Sequence, residues 1–405
     1  MYEYIQEGEM IEHIIKHDLL EIYFQPIVSI RNKKICAYEA LTRCTYHGIN
    51  IPPEKIFEAA KQKNLLFEID VLTRKKAIDK FHSYYLKDKE LILFLNFEST
   101  YIDTFTVNHN EYGFSDKIKE LNIPTQNFML EVKEDEIKNS QGLIDFCSFY
   151  KDMGFLIALD DFGTGNSNFN RINIIKPALI KIDKSLFVDI KNNQINKEIV
   201  GSISNMCKNI GIQVLAEGVE DKNSINVGMK KGIDLFQGYY FSRAVNFLDE
   251  LDADKILSKI LFMGDYFRTN ILMGVKRKRK AIEDYSLLAE NIINKINSIN
   301  ELNNLLEEEY INHENIEAFY LIDAKSSKQI NNTVINIKKN TRFKPNSHGD
   351  EHYFKEYYYL TLEARKCIFL SQKYISLASG NICKTFAKKF TKDEQSYILC
   401  LDIVV

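Results

Sequence analysis

Glu39, Asn96, Glu131, Asp160, Asp161, Lys181, Glu217 and Gln237 are acids, amides and a lysine, each placed near the end of a short apolar run. Any one of them alone reads as a helix N-cap or a solvated loop acid. Together they describe a ring of ligands. Five carboxylates and one carboxamide converging on a cleft would repel one another unless cations sat among them, and hard oxygen donors of this kind suit Mg²⁺ or Mn²⁺. The adjacent pair Asp160 and Asp161 is the most informative, because one carboxylate can bridge two ions while its neighbour holds only one. Two ions about 3.5–4 Å apart stabilise the attacking and leaving oxygens of an in-line phosphoryl displacement. Lys181 can orient the attacking water and help deprotonate it if nearby metals depress its pKa. The alternative for Lys181 is an ion pair with Asp160 or Asp183.

A ring of this kind needs elements that bring many strand ends to one face. Short apolar runs suited to buried strands fall at 22–28, 35–41, 91–95, 128–132, 156–159, 179–182, 213–216 and 234–236. Amphipathic stretches such as 142–153, 197–209 and 247–262 lie between them and are long enough to cross back over a sheet. Eight strands with intervening helices in about 240 residues match a TIM-type barrel, whose active site is built at the C-terminal ends of its strands.

The chain has 405 residues, and a single core rarely grows past roughly 250–300 residues, so at least two domains are expected. Apolar residues at 45% and charged residues at 27% are the balance of an ordinary soluble protein. The net charge of −3 gives no global field toward nucleic acid or an anionic membrane, so an anionic ligand must be held locally. Seven scattered cysteines without a C-x-x-C pair point to free thiols in a reducing compartment. The N-terminus lacks the continuous apolar core of a signal peptide, and no run of about 18 apolar residues can span a bilayer. A cytoplasmic location is expected.

The segments 23–43 (YFQPIVSIRNKKICAYEALTR), 94–99 (FLNFES), 130–136 (LEVKEDE), 158–168 (ALDDFGTGNSN), 180–186 (IKIDKSL), 215–220 (LAEGVE) and 236–244 (FQGYYFSRA) resemble the EAL domain family, in order and at the family's spacing, over roughly residues 10–260. The resemblance implies a modified TIM barrel whose first strand runs antiparallel, and cleavage of cyclic di-GMP (c-di-GMP) to linear pGpG with Mg²⁺ or Mn²⁺. It further implies that Glu39, Asn96, Glu131 and Asp160 hold one ion while Asp160, Asp161 and Glu217 serve a second. By the same resemblance Lys181 contacts the catalytic water, Gln237 lines that pocket, and Glu134 steadies the loop after Asp161. Arg43 stands where a substrate phosphate is held, Gln25 where further substrate contacts are made, and Asp183 and Arg243 are grouped with them. A homodimer is implied as well.

The chain departs from the family at three places: Lys133 replaces a threonine, Gly165-Asn166-Ser167-Asn168 replaces G-Y-S-S, and Ala244 replaces a proline. Strand alternation puts Lys133 on the same face as Glu131. Because the loop after Asp161 is altered, a second reading stands beside the phosphodiesterase, a c-di-GMP receptor that retains the pocket but turns over slowly.

Three regions are expected: a barrel over 1–262, linker helices over 263–316 and a smaller α+β domain over 317–405. The linker contains the basic run 276–280, which leads into a long polar helix, and carries a stripe at 285, 288, 292, 295, 299, 302 and 306, interrupted by Lys295, which packs either within the subunit or on a partner helix. The last region, with Arg342, Tyr357-Tyr358, Tyr374-Ile375-Ser376 and Ser379-Gly380, resembles PAS and Cache sensory folds and implies an unidentified signal. His348 and His352 in its SHGDEH loop read as solvent-facing.

Overall fold

The computed structural model describes residues 7–103, 105, 114–133, 137, 139–163, 169–335 and 344–405. Glu134, the loop 165–168 and Arg342 lie outside the described residues. The chain forms two compact units, Met1–Thr269 and Asn270–Val405.

In the first unit the strands are β1 (Leu20–Ser29), β2 (Lys34–Tyr46), β3 (Ile49–Ile51), β4 (Ile92–Phe97), β5 (Phe128–Lys133), β6 (Leu156–Phe162), β7 (Leu179–Ile182), β8 (Gln213–Ala216) and β9 (Leu235–Phe236). Runs such as LIKI and FMLEVK are buried on both faces, as strands of a parallel sheet under a helical layer must be. From β2 the strands β4, β5, β6, β7, β8 and β9 follow in parallel, while β1 pairs antiparallel with both β9 and β2 and closes the barrel. The fold is thus a TIM-like barrel with an antiparallel first strand, and β3 adds a hairpin outside the ring. Helices return over the outside, several started by a side-chain cap: Asn139 before Ser140–Asp152, Asn193 before Gln194–Asn209 and Asp221 before Lys222–Lys230.

The barrel interior is filled at one level by a single residue from each of its eight strands. Ile27, Ala37, Phe94, Met129, Ala158, Leu179, Leu215 and Leu235 form one buried cluster. Side chains two positions apart share a face, so the next level is dictated by sequence. Two residues on from each plug residue come Glu39, Asn96, Glu131, Asp160, Lys181, Glu217 and Gln237, and two residues back along the reversed β1 comes Gln25. The apolar plug is the floor on which the polar ring rests.

The second unit is an antiparallel sheet of β10 (Ile316–Asp323), β11 (Val334–Ile335), β12 (Ile368–Leu370), β13 (Tyr374–Ile375), β14 (Ile382–Lys392) and β15 (Gln395–Val404), ordered β11-β10-β15-β14-β12 with β13 beside β14. The helix Ala253–Lys295 runs unbroken through position 262. The stripe packs within the subunit: Ile292, with Leu302 and Leu306 of the next helix, is buried in a core with Phe319, Leu321, Phe386, Leu399 and Leu401, and Tyr285, Leu288 and Ile299 pack against it partly buried. Lys295 fits the stripe because its ammonium meets Glu309 at 2.5 Å. The opposite face of the sheet carries Tyr320, Ile322, Ile398 and Cys400, covered by Tyr358.

His352 corrects the expectation for its loop. It is 1% exposed, with Nδ1 2.7 Å from the Tyr357 hydroxyl, Nε2 2.9 Å from Gln329 Oε1 and its ring stacked on Tyr320. Burial pushes its pKa down to about 4, so it stays neutral. His348 is exposed as expected. Among the described residues no helix is long and apolar enough to cross a membrane.

The two faces of the helix 253–295 differ in energetic weight. Ile292→Ala, at a fully buried position, is expected to destabilise the protein by about 2–5 kcal/mol. Leu287→Ala, 61% exposed on the same helix, is expected to change stability by less than about 0.5 kcal/mol. Urea unfolding followed by circular dichroism measures both; equal effects would contradict the assigned packing.

Candidate active site

The polar ring is organised around one buried ammonium. Lys181, 1% exposed, lies on β7 with Nζ 2.6 Å from Glu131 Oε1, 2.7 Å from Glu217 Oε1, 3.1 Å from Asp160 Oδ1 and 3.3 Å from Glu39 Oε1. The ion pair with Asp160 is therefore present, as one of four. Asp183 instead caps the turn after β7, its Oδ1 accepting from the Ser185 amide at 2.8 Å.

Asp161 reaches the same place by a local irregularity. On a regular strand, neighbours point to opposite faces. Here the pairing of β6 with β7 slips between Leu159 and Phe162, and Asp161 adopts φ 55°. This bulge turns the second carboxylate toward the first, so that oxygens of Asp160, Asp161 and Glu217 lie within 4.8 Å of one another. Lys133, which lies beside Asp160 in the sheet register, brings its Nζ to 3.7 Å from Asp161 Oδ2.

Amides fill the rest of the layer. Gln237 donates to Glu39 and, at 3.1 Å, to Gln25 Oε1, while Gln25 donates to the Ser242 carbonyl at 3.2 Å. Asn96 donates to Glu39 Oε1 at 3.4 Å. Behind Asn96 is a pair that sequence reading passed over. Arg74 and Asp70, each 2% exposed, form a buried ion pair; the guanidinium lies 4.0 Å over the Phe97 ring and donates to the Asn96 carbonyl at 3.5 Å. Their spacing of four on an otherwise apolar helix face was the available signal.

Above the layer opens a cleft of about 230 Å³ lined by Gln25, Glu39, Leu41, Lys184, Glu217, Gln237 and Tyr239 with two glycines. Gly238 is required there, since a Cβ would stand 2.2 Å from the Val219 carbonyl oxygen. Tyr239 is 53% exposed and Arg243 stacks 4.0 Å over its ring. Arg43 shares its strand face with Glu39 and Leu41, farther from the plug; its guanidinium lies 5.9 Å from the Tyr23 ring centre and donates to the Thr42 carbonyl at 2.8 Å.

The charges do not balance. Burial alone would lower the Lys181 pKa, but Asp160, Glu131, Glu217 and Glu39 together raise it well above the usual lysine value, so in this state it is an ammonium and not a base. Burial pushes the Glu131 carboxyl well up, against the pull of Lys181 and with repulsion from Glu39 and Asp160. Burial likewise raises Glu217 to about 8 and, with Asp160, raises Asp161. Glu39 goes the other way: burial opposes ionisation, but Lys181 and the amides of Gln237 and Asn96 hold its carboxyl below the ordinary range. Both oxygens of Glu131 and Oδ1 of Asp160 are buried without a hydrogen bond of good geometry among the described residues. Hard oxygens that share a single ammonium and carry excess negative charge fit divalent cations.

A carboxyl raised by folding favours the folded state at low pH. For Glu217 that contribution is complete below about pH 4.5 and is lost as pH rises through about 8. In the metal-free protein, the melting temperature of wild type minus that of Glu217→Gln is therefore expected to fall between pH 5 and 8. A difference that does not change with pH would contradict the assigned environment.

Comparison with known proteins bears on the family and the fold. The chain is 29% identical over 233 residues to the cyclic di-GMP phosphodiesterase PdeA of Borreliella burgdorferi, covering 56% of this chain and 34% of that one. It is 27% identical over 246 residues to the signaling protein YkoW of Bacillus subtilis, covering 60% and 30%. The chain thus spans about a third of the length of these relatives. The YkuI protein of Bacillus subtilis, solved with c-di-GMP and calcium, shares the fold with TM-score 0.72 at 21% identity, over 98% of this chain and 99% of that one. BlrP1 of Klebsiella pneumoniae, solved with manganese and c-di-GMP, aligns with TM-score 0.50 at 26% identity, over 56% of each chain. Residues 9–244 match the EAL domain, and this chain belongs to the EAL domain family.

Proposed function

We propose that this chain hydrolyses c-di-GMP to linear pGpG, using two divalent cations, Mg²⁺ or Mn²⁺, held by the carboxylate layer. The observation that carries this reading is the excess of buried carboxylate around Lys181, seated on an apolar floor and open to a cleft. Glu39, Asn96, Glu131, Asp160, Asp161 and Glu217 are the proposed ligands. The bound ions would supply positive charge where negative charge develops on the phosphodiester.

The chain's own residues divide the remaining work. Lys181 donates a hydrogen bond that orients the attacking water, and Gln237 fixes Glu39. Arg43 suits a phosphate through its two-pronged guanidinium. Tyr239 with Arg243 offers a flat, partly exposed face on which a guanine base can stack. Gln25 and Asp183 complete the substrate side. In this reading the protein is cytoplasmic and homodimeric. Residues 1–262 perform the chemistry, while 263–316 link them to a PAS-like sensory region, 317–405, that adjusts the rate. The Lys133–Asp161 pair favours a second reading, a receptor that binds c-di-GMP and turns it over slowly.

Full-length protein with Mn²⁺ is expected to produce pGpG, and Glu39→Gln is expected to lose at least ~100-fold of that rate, since even partners one shell behind a metal ligand are worth 10- to 100-fold. Chromatographic product analysis reads this. Undiminished pGpG from Glu39→Gln would overturn the proposal. Ca²⁺ in place of Mg²⁺ is expected to inhibit, because it prefers longer bonds and looser coordination; equal rates in the two ions would count against a two-ion site.

A further inference from the structure

Five carboxylates of the site are shared unequally between two lysines. Lys181 takes Glu39, Glu131, Asp160 and Glu217. Lys133 takes Asp161, with Nζ 3.7 Å from Oδ2. The two cations differ in exposure as well as in partners. Lys181 is sealed at 1% exposure, whereas the side chains of Lys133 and Asp161 are 44% and 41% exposed. Lys133 also belongs to the layer: it follows Glu131 by two on β5, so its side chain starts on the same inner face, beside Asp160 in register.

We infer that Lys133 competes with a divalent cation for Asp161, so that the chain fills its metal positions in two steps of unequal affinity. The inference rests on the proposed reading of the layer as a metal site. A dication at Asp160, Asp161 and Glu217 meets Lys181 at two of its carboxylates, as a dication at Glu39, Glu131 and Asp160 meets it at all three, and must in addition displace Lys133 from Asp161 and bear that second ammonium's repulsion at short range. A dication at Glu39, Glu131 and Asp160 does not meet Lys133, which reaches outward to Asp161. The bulge sets where the Asp161 side chain leaves the backbone, next to Asp160 and within reach of Lys133. Lys133, on an exposed flexible stem, is the group that yields. The second position then fills only at metal concentrations that overcome the lysine, and the charge at position 133 sets that threshold.

The test is Mn²⁺ binding to the metal-free full-length protein, without nucleotide, by electron paramagnetic resonance of free Mn²⁺. Wild type is compared with Lys133→Thr, Lys133→Met and Lys133→Arg, each checked by thermal melting. Wild type is expected to bind two ions with separable affinities. The weaker should tighten about 5- to 10-fold in the Thr and Met variants, as expected for removing one unit charge at near-contact distance in a solvated site, and the tighter should stay within about twofold. Lys133→Arg should resemble wild type. The gain should vanish when Asp161→Asn is added to Lys133→Met. An unchanged weaker site in both neutral variants, or an equal gain without the Asp161 carboxylate, would overturn the inference while leaving the metal site standing. Absence of Mn²⁺ binding in every protein would remove the metal reading itself.

Discussion

A buried ammonium held by four carboxylates governs this molecule. Lys181 cannot leave the layer without exposing Glu39, Glu131, Asp160 and Glu217 to mutual repulsion, and it cannot neutralise them alone. The raised carboxyls of Glu131 and Glu217 express that shortfall: without further positive charge the layer holds protons. A site of this kind is built to be completed by cations, and the chemistry proposed for it follows from what those cations and the oriented side chains can do to a phosphodiester.

The position of the site follows from the barrel. Closing eight strands leaves an interior that must be filled, and one apolar residue per strand fills it. The two-residue period of a strand then lifts the next side chain of every strand to the level above. Glu39, Glu131, Lys181 and the others were legible in the sequence because this rule is arithmetic: each stands two places beyond an apolar plug residue. The antiparallel β1 obeys the same rule in reverse, which brings Gln25 into the layer.

Less was legible where geometry departs from the period. A regular strand would send Asp161 away from Asp160; the bulge and the left-handed backbone at Asp161 are conformational, and a D-D pair carries no mark of them. The Arg74–Asp70 pair lies on a helix that reads as ordinary amphipathic covering, and its link to Asn96 runs through a carbonyl, which sequence does not display. In the second unit the hydrophobic stripe was readable from spacing, but the accommodation of Lys295 depends on Glu309 from the following helix. The burial of His352 depends on Gln329 and Tyr357 closing around it, so residue type alone pointed the wrong way.

The most direct measurement of the central claim is isotopic. Purified full-length protein is incubated with c-di-GMP and Mn²⁺ in ¹⁸O-labelled water, and the nucleotide is examined by mass spectrometry. The account predicts linear pGpG carrying one ¹⁸O on its terminal phosphate, and no product once the metal is removed by a chelator. c-di-GMP recovered bound but intact and unlabelled, with Mn²⁺ present, would contradict it.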